Sequence, residues 1–549
     1  HRNRSARHLR CNHHKIWGCI LNSNVGHMCS KASGQIHWII RWPHGHAFFH
    51  SPTPHASVQQ RFWILPTRRA SAEVNSNPMT RFDSALDVAA AIRSKKISPV
   101  EVLEHYLAQA DTFDPTLNAF ALRDDERAFE QAQAATDLVA RVETQDLPPF
   151  VGVPIPIKDL NDVQGWPTSH GSLGVPNTPA EFDCPQVQRF RDAGFVLMGK
   201  TTTPEFGTIS MTESQRFGAT RNPWNPTHTP GGSSGGAGAA VAAGMAPIAH
   251  ASDGGGSIRI PASCNGLVGL KPSRNRVTGA AEKMTAASTS GVVTRNVADT
   301  AAALDVLAER DAGAWNLAPA PERPFAQEVG ADPGKLRIRV AVSNPLGVPV
   351  DPACAEAVSH AADLLADLGH EVTESSPLWP EASMFAEGFL TVWATITAGI
   401  PGLDPERIEP HNLANLTKAL STSSIAFTEA TLMLQQASRV MTAQFGRDFD
   451  VLVTPSMAVE PPLVGSIWEG TEADPSMALF NAMPMAAYTA IFNVTGQPAL
   501  SLPLHTSDSG LPVGVQFVAS PWQEATLIRL ASQIELAQPW SGRWPSMVL

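Results

Sequence analysis

Residues Thr229–Pro272, TPGGSSGGAGAAVAAGMAPIAHASDGGGSIRIPASCNGLVGLKP, hold two serines in glycine settings. These are Gly231-Gly232-Ser233-Ser234-Gly235-Gly236 and Gly254-Gly255-Gly256-Ser257, with Ser233 and Ser257 24 positions apart. Glycine at this density weakens helix and strand interiors. What it offers in return is bare backbone whose N–H groups can approach a ligand oxygen, as in a phosphate cradle or an oxyanion hole.

The residues themselves leave more than one chemistry open. A phosphate loop of the Walker type needs Gly-Lys-Ser/Thr after its glycines, and none follows. Gly231–Gly235 matches G-x-S-x-G, the nucleophile elbow, which calls for a strand leading in and a histidine downstream. The lead-in Asn222–Pro230 holds three prolines and reads poorly as a central strand. His360, His370, His411 and His505 are available as bases, without a distinguishing context.

Upstream, Phe150–Ile157 alternates Val151, Val153, Ile155 and Ile157 and reads as a short strand with Lys158 at its end. A lysine there is ordinarily a solvated surface residue. To act as a base its pKa must fall from about 10.4 to near neutrality, a cost of about 4 kcal/mol that burial without a carboxylate partner supplies. Asp159 is compatible with that if it points the other way.

Around this core, helices and strands alternate. Ser98-Pro99-x-Glu101 is a capping box opening a helix that carries Leu103, Tyr106, Leu107 and Ala110 on one face. Strands are expected at Phe195–Gly199, Pro247–Ala251, Leu267–Leu270, Leu336–Val342, Val451–Thr454, Asn493–Leu504 and Val513–Val518, with Lys200–Glu205 a loop. The pattern is α/β, one large domain over 79–549, with a largely parallel sheet. Phe385, Phe389 and Trp393 recur every fourth residue of a helix, a stripe that reads first as core packing and second as a pocket wall. Met477, Met483 and Met485 read as adaptable packing.

With 43% hydrophobic and 17% charged residues over 549, the chain is typical of globular proteins, and its net charge of −11 argues against nucleic acid as a partner. No apolar run approaches the roughly 20 residues of a membrane helix. The six cysteines show no disulfide framework, which favours a cytoplasmic setting. Residues 1–78 differ from the rest. They hold ten of eighteen histidines and one acid, Glu73, with a net charge of +9 against −20 for the remainder. Their Cys and His spacing fits no standard zinc pattern, and their Trp and His content does not suit a transit peptide. This segment is expected to be disordered, or translated from upstream of a native start at Met79.

Six pieces in order bring the two serines and the lysine together: Gly152–Asp159, Gly199–Glu205, Pro230–Gly236, Asp253–Pro261, Gly266–Pro272 and Asn493–Pro498. In these the chain resembles the amidase signature family, whose hallmark is a Ser–cisSer–Lys triad. Within that family it is similar to the branch that includes nylon-oligomer hydrolases and urethanases. The resemblance implies a central twisted mixed sheet flanked by helices on both faces. It implies catalysis by Ser257 as nucleophile, Ser233 as the bridging serine after a cis peptide bond, and Lys158 as base. It places the oxyanion donors at the backbone N–H groups of Gly254, Gly255, Gly256 and Ser257, substrate contacts at Gly207 and Thr208, and structural support at Gly232, Ser234, Asp253 and Arg259. No metal or cofactor is implied. The expected activity is cleavage of amide C–N bonds of a small molecule, extending to carbamates, anilides or nylon-type oligomers, by a monomer or homodimer. The alternative is the glutaminase subunit of a tRNA amidotransferase. Where the family commonly has a bulky residue this chain has Gly254, which implies either a more mobile loop or a roomier oxyanion hole and leaves the substrate preference open. Cys264 reads as a small buried residue.

Overall fold

The computed structural model describes residues 84–279, 287–311 and 313–549; the expectation for 1–78 lies outside them. In chain order its strands are Phe120–Arg123 (β1), Pro154–Lys158 (β2), Val196–Thr201 (β3), Glu213–Ser214 (β4), Gly218–Ala219 (β5), Ile248–Asp253 (β6), Val268–Lys271 (β7), Thr289–Thr294 (β8), Arg337–Val340 (β9), Glu371–Glu374 (β10), Val451–Pro455 (β11), Ala499–Thr506 (β12) and Pro512–Ala519 (β13). Eight of them form the main sheet, in the order β10-β9-β11-β13-β12-β7-β8-β6. A second sheet of three strands runs β1-β3-β2, and β4 and β5 pair as a hairpin.

The sheet is mixed, and the expectation of a largely parallel one is corrected. Only β10/β9 and β9/β11 are parallel, and the other neighbours, from β11/β13 to β8/β6, are antiparallel. Alternation of strands with helices suggested crossovers throughout, but β12 and β13 are joined by the short turn Ser507–Leu511 and close as a hairpin. Every residue of Pro512–Ala519 is buried, so both faces of β13 are covered. The helices Arg259–Asn265, Pro352–Asp367 and Glu524–Ala537 pack against this strand.

Local signals carry much of the helical structure. Ser98 Oγ accepts the Glu101 N–H while the Glu101 carboxylate accepts the Ser98 N–H, which opens the helix Pro99–Leu117 with a complete capping box. Such a cap contributes about 1 kcal/mol. Two boundaries differ from expectation. Lys200 and Thr201 continue β3 instead of starting a loop, because their backbones stay paired with β1 and β2, and the buried Lys200 ammonium finds a partner in Asp159. Asn493–Thr495 closes a short helix, Ala490–Thr495, stopped by Gly496 at φ +73°, and β12 begins only at Ala499.

Candidate active site

Each member of the predicted triad stands at the end of an element. Lys158 is the last residue of β2. Ser233 lies in the turn before the small-residue helix Gly235–Ala242, and the Gly232–Ser233 peptide is cis. Ser257 lies between β6 and the helix Arg259–Asn265. The fold brings them into one line: Lys158 Nζ is 2.8 Å from Ser233 Oγ, which is 3.0 Å from Ser257 Oγ.

The lysine is fully buried. Its other polar neighbours are the Ser252 hydroxyl at 3.2 Å and the Ser252 carbonyl at 3.5 Å. Asp159 does point away: it pairs with Lys200 at 2.9 Å and accepts from the Ser169 N–H and hydroxyl. Burial pushes the Lys158 pKa down to about 7, with the Asp253 charge working weakly the other way. Beside it, the buried His250 accepts the Lys158 backbone N–H at Nδ1 (3.3 Å). Burial, then the charges of Lys158 and Lys200, lower its pKa to about 3, so it stays neutral and adds no charge to the site.

The loop before Ser257 is held from several sides. Asp253 and Arg259, both buried, form a two-pronged ion pair with both N–O distances at 2.9 Å. Arg259 further donates to the Thr489 carbonyl, Gln516 and Asn493, so its charge is fully engaged. Burial disfavours the Asp253 carboxylate, but the charge and hydrogen bonds of Arg259, with Lys271 and Asn493, together outweigh it and hold the pKa far below the usual range. The same carboxylate accepts the Gly256 N–H at 2.7 Å and the Ile258 N–H at 3.2 Å. Thr489 Oγ1 donates to the Gly255 carbonyl at 2.6 Å. Of the four expected oxyanion donors, the Gly256 N–H is therefore occupied by Asp253. Those of Gly254, Gly255 and Ser257 have no protein acceptor among the described residues.

Gly256 has φ +135°, and a Cβ there would lie 2.3 Å from Thr489 Oγ1, so only glycine fits. At Gly232 a Cβ would press on the Ser210–Met211 backbone at 2.8–2.9 Å. Ser234 supports the turn by exchanging hydrogen bonds with the Ser252 backbone.

Ser257 and Gly255 open onto a cavity of about 320 Å³. Gly207 and Thr208 line it, together with Ile209, Ile260, Leu346, Leu479, Phe480 and Met483. The aromatic stripe does what the sequence ranked second as well as what it ranked first. Phe385 and Trp393 are buried in a hydrophobic cluster, and with Phe389 they also wall the cavity as a stacked series at 5.8 and 5.1 Å. Trp393 Nε1 donates to the Thr208 carbonyl at 3.1 Å, which ties the stripe to the loop of Gly207 and Thr208. No charged side chain lines this cavity among the described residues. Cys264 is buried against Met457, and burial drives its thiol pKa up, so it is no second nucleophile. Sequence reasoning missed Thr489, Ser252 and the Lys200–Asp159 pair, none of which carries a local signal. Among the described residues no group of three His, Cys, Asp or Glu is placed to hold a metal ion, and no helix is long and apolar enough to cross a membrane.

Known proteins resemble this chain in sequence and in fold. The Amidase family profile matches residues 101–528. The 6-aminohexanoate-cyclic-dimer hydrolase of Paenarthrobacter ureafaciens is 36% identical over 483 residues, spanning 84% of this chain and 96% of that protein. The solved structure of 6-aminohexanoate cyclic dimer hydrolase complexed with substrate superposes with a TM-score of 0.79 at 35% identity, covering 86% of this chain and 100% of that one. A bacterial aryl acylamidase of the amidase signature family has a TM-score of 0.75 at 26% identity, covering 84% and 99%. The chain thus belongs to the amidase signature family of hydrolases.

Proposed function

We propose that the chain hydrolyses amide C–N bonds through an acyl-enzyme on Ser257, and that its substrates carry an apolar acyl group. The observation that carries this reading is the line Lys158–Ser233–Ser257, with contacts of 2.8 and 3.0 Å, opening onto a cavity without charged walls. Neutral Lys158 takes the Ser233 proton as Ser233 takes that of Ser257, and the Ser257 oxygen adds to the carbonyl. The N–H groups of Gly254, Gly255 and Ser257 are available to the developing oxyanion, each such donor contributing roughly 3 kcal/mol. The proton returns along the same path to the departing amine, and water then releases the acid from Ser257.

Anilides, cyclic or linear nylon-type amides and carbamates all present a carbonyl beside apolar atoms and fit this cavity chemically. The relatives named for 6-aminohexanoate cyclic dimer and aryl acylamide hydrolysis support the first two. A glutaminase role is less well supported. Free glutamine brings an ammonium and a carboxylate, and the cavity has no charged side chain to receive either.

The test is a panel of aryl amides, lactams, linear amide oligomers, carbamates and glutamine, run on the wild type and on Ser257→Ala, Ser233→Ala and Lys158→Ala. Apolar amides are expected to turn over with a burst of amine, and each substitution to reduce turnover by about 100-fold or more. Activity retained in Ser257→Ala, or turnover of glutamine alone, would overturn the reading.

A further inference from the structure

The turn Glu205–Gly207, with Thr208 after it, touches both halves of the site. Gly207 and Thr208 line the cavity, and Gly207 also lies against the bridging serine. A Cβ on Gly207 would sit 3.0 Å from Ser233 Oγ and 2.9 Å from Leu160 Cδ1. The turn is not one the chain adopts unaided. Phe206 and Gly207 follow each other in the left-handed region, at φ +55° and +68°. For a phenylalanine that conformation is uncommon and persists only where the surroundings enforce it. The bond that closes the turn from within, from the Thr208 N–H to the Glu205 carbonyl, is long at 3.4 Å.

What spans the turn is a side chain 204 positions beyond Thr208. Asn412, fully buried, stands in the first turn of the helix Pro410–Ser421 and outside the cavity lining. Its Oδ1 accepts the Thr208 hydroxyl at 2.7 Å, and its Nδ2 donates to the Glu205 carboxylate at 2.9 Å and the Glu205 carbonyl at 3.2 Å. One amide thus grips both ends of the turn. These partners also fix which way it faces, since turning it over would set its oxygen against the Glu205 carboxylate. That carboxylate is anchored in turn by the Ser172 hydroxyl at 2.6 Å and the Glu409 N–H at 2.8 Å. The Thr208 hydroxyl has two further neighbours, the Glu205 carbonyl at 3.2 Å and His411 Nε2 at 3.4 Å, both more distant than Asn412.

We infer that Asn412 is a positioning residue for the reaction proposed above, on which this inference rests. By clamping Glu205 to Thr208 it holds Gly207 against Ser233 and keeps Thr208 in the cavity wall. One side chain from a helix outside the catalytic core then governs both the proton path and the acyl pocket. A residue of purely structural importance would behave differently: its loss would lower stability and leave kcat and KM of the folded enzyme where they were.

The experiment takes the full chain as wild type, Asn412→Ala, Thr208→Val and the double variant, with thermal melts showing that each is folded at the assay temperature. Two rates are read: hydrolysis of hexanoyl p-nitroanilide, and labelling of Ser257 by an alkyl fluorophosphonate, followed by intact mass. Asn412→Ala is expected to lower kcat about tenfold, raise KM about threefold and slow labelling about tenfold. Thr208→Val, which keeps the shape and gives up the hydroxyl, is expected to lose about fivefold in kcat/KM and to label more slowly. The double variant should match Asn412→Ala within about twofold, because both changes remove the same bond. Wild-type kcat and KM in folded Asn412→Ala, or losses that multiply in the double variant, would overturn the inference. Where Asn412→Ala does not fold, Thr208→Val carries the test, and unchanged hydrolysis and labelling in it would overturn the inference as well. The two rates keep the proposals apart. If the wild type labels at Ser257 without cleaving the anilide, the proposed function fails and the labelling rates still decide the role of Asn412. If the wild type cleaves the anilide and the variants match it, only the role of Asn412 fails.

Discussion

Lys158 Nζ stands 2.8 Å from Ser233 Oγ while the adjacent carboxylate, Asp159, is turned to Lys200 at 2.9 Å. That division keeps a buried amine next to a hydroxyl and away from a neutralising anion, the arrangement a base needs near neutral pH. With its pKa lowered by burial to about 7, Lys158 gains its active, neutral form as pH rises through that value. kcat/KM is therefore expected to rise across about pH 6 to 8 and then level off. A rate independent of pH over this range would remove Lys158 as the base.

The same burial has a thermodynamic sign. The folded pKa, about 7, lies below the ordinary lysine value of 10.5, so between these values the unfolded chain holds the extra proton. Stability must rise with pH across that window, and the cost of burying Lys158 is full below pH 7 and gone above about 10.5. Lys158→Met, similar in length and uncharged, is expected to abolish activity yet raise stability at pH 7 by a few kcal/mol, since each tenfold loss of proton affinity corresponds to about 1.4 kcal/mol. The gain should vanish as pH approaches about 10.5, which thermal melts across pH would read directly. A variant less stable than the wild type at pH 7 would show that the contacts to Ser233 and Ser252 outweigh desolvation.

Asp253 makes the opposite case, because its charge is fully answered. It pairs with Arg259 and holds the Gly256 and Ile258 N–H groups. Asp253→Asn leaves Arg259 buried without its counter-charge and is expected to cost about 3–5 kcal/mol, seen as a lower urea midpoint with unchanged slope. Activity should fall with it, since the donor-bearing loop loses its brace. A native-like midpoint would show that Asn493 and Gln516 suffice to hold Arg259.

How much of this was legible depended on whether a role left a local trace. Lys158, Ser233 and Ser257 were singled out together by the resemblance to the family, since a lysine at a strand end carries no signal of its own; the glycines beside the serines do follow from backbone geometry, as Gly256 at φ +135° shows. Gly207 and Thr208, which the resemblance made substrate contacts, line the cavity onto which Ser257 opens. Thr489 and Ser252 left no trace. A threonine that grips the Gly255 carbonyl from 234 positions away looks like any other threonine. The mixed sheet followed from the resemblance, whereas the alternation of helices and strands alone pointed to parallel strands, because it does not reveal a β12/β13 hairpin. The stripe Phe385–Phe389–Trp393 was ambiguous for a physical reason. A helix face that lines an apolar pocket and one that packs on a core have the same periodicity.

The three glycines before Ser257 are not equivalent. A Cβ on Gly254 would meet Trp393 at 3.4 Å, an ordinary contact, whereas on Gly256 it would meet Thr489 Oγ1 at 2.3 Å in a left-handed backbone. Gly254→Ala is therefore expected to keep activity within about threefold, and Gly256→Ala to lose about 100-fold by displacing the Asp253-anchored loop. Equal losses in both would point to loop mobility, not packing, as the requirement for glycine.

Trp393 supports the same loop from the cavity side. Its ring lies within contact of the Cβ positions of Gly254 and Gly255, and its Nε1 holds the Thr208 carbonyl at 3.1 Å. Two substitutions separate these functions. Trp393→Phe keeps a ring in the wall and gives up the hydrogen bond, worth about 1 kcal/mol, so KM for an apolar anilide is expected to rise about fivefold with kcat little changed. Trp393→Ala removes the wall and the surface on which the glycine loop rests. Both KM and kcat should then worsen, with kcat/KM down by about 100-fold and a stability loss of about 3–5 kcal/mol. If kcat held in Trp393→Ala while KM alone rose, the tryptophan would be a wall of the acyl pocket and nothing more, and the loop would owe its geometry to Asp253 and Thr489.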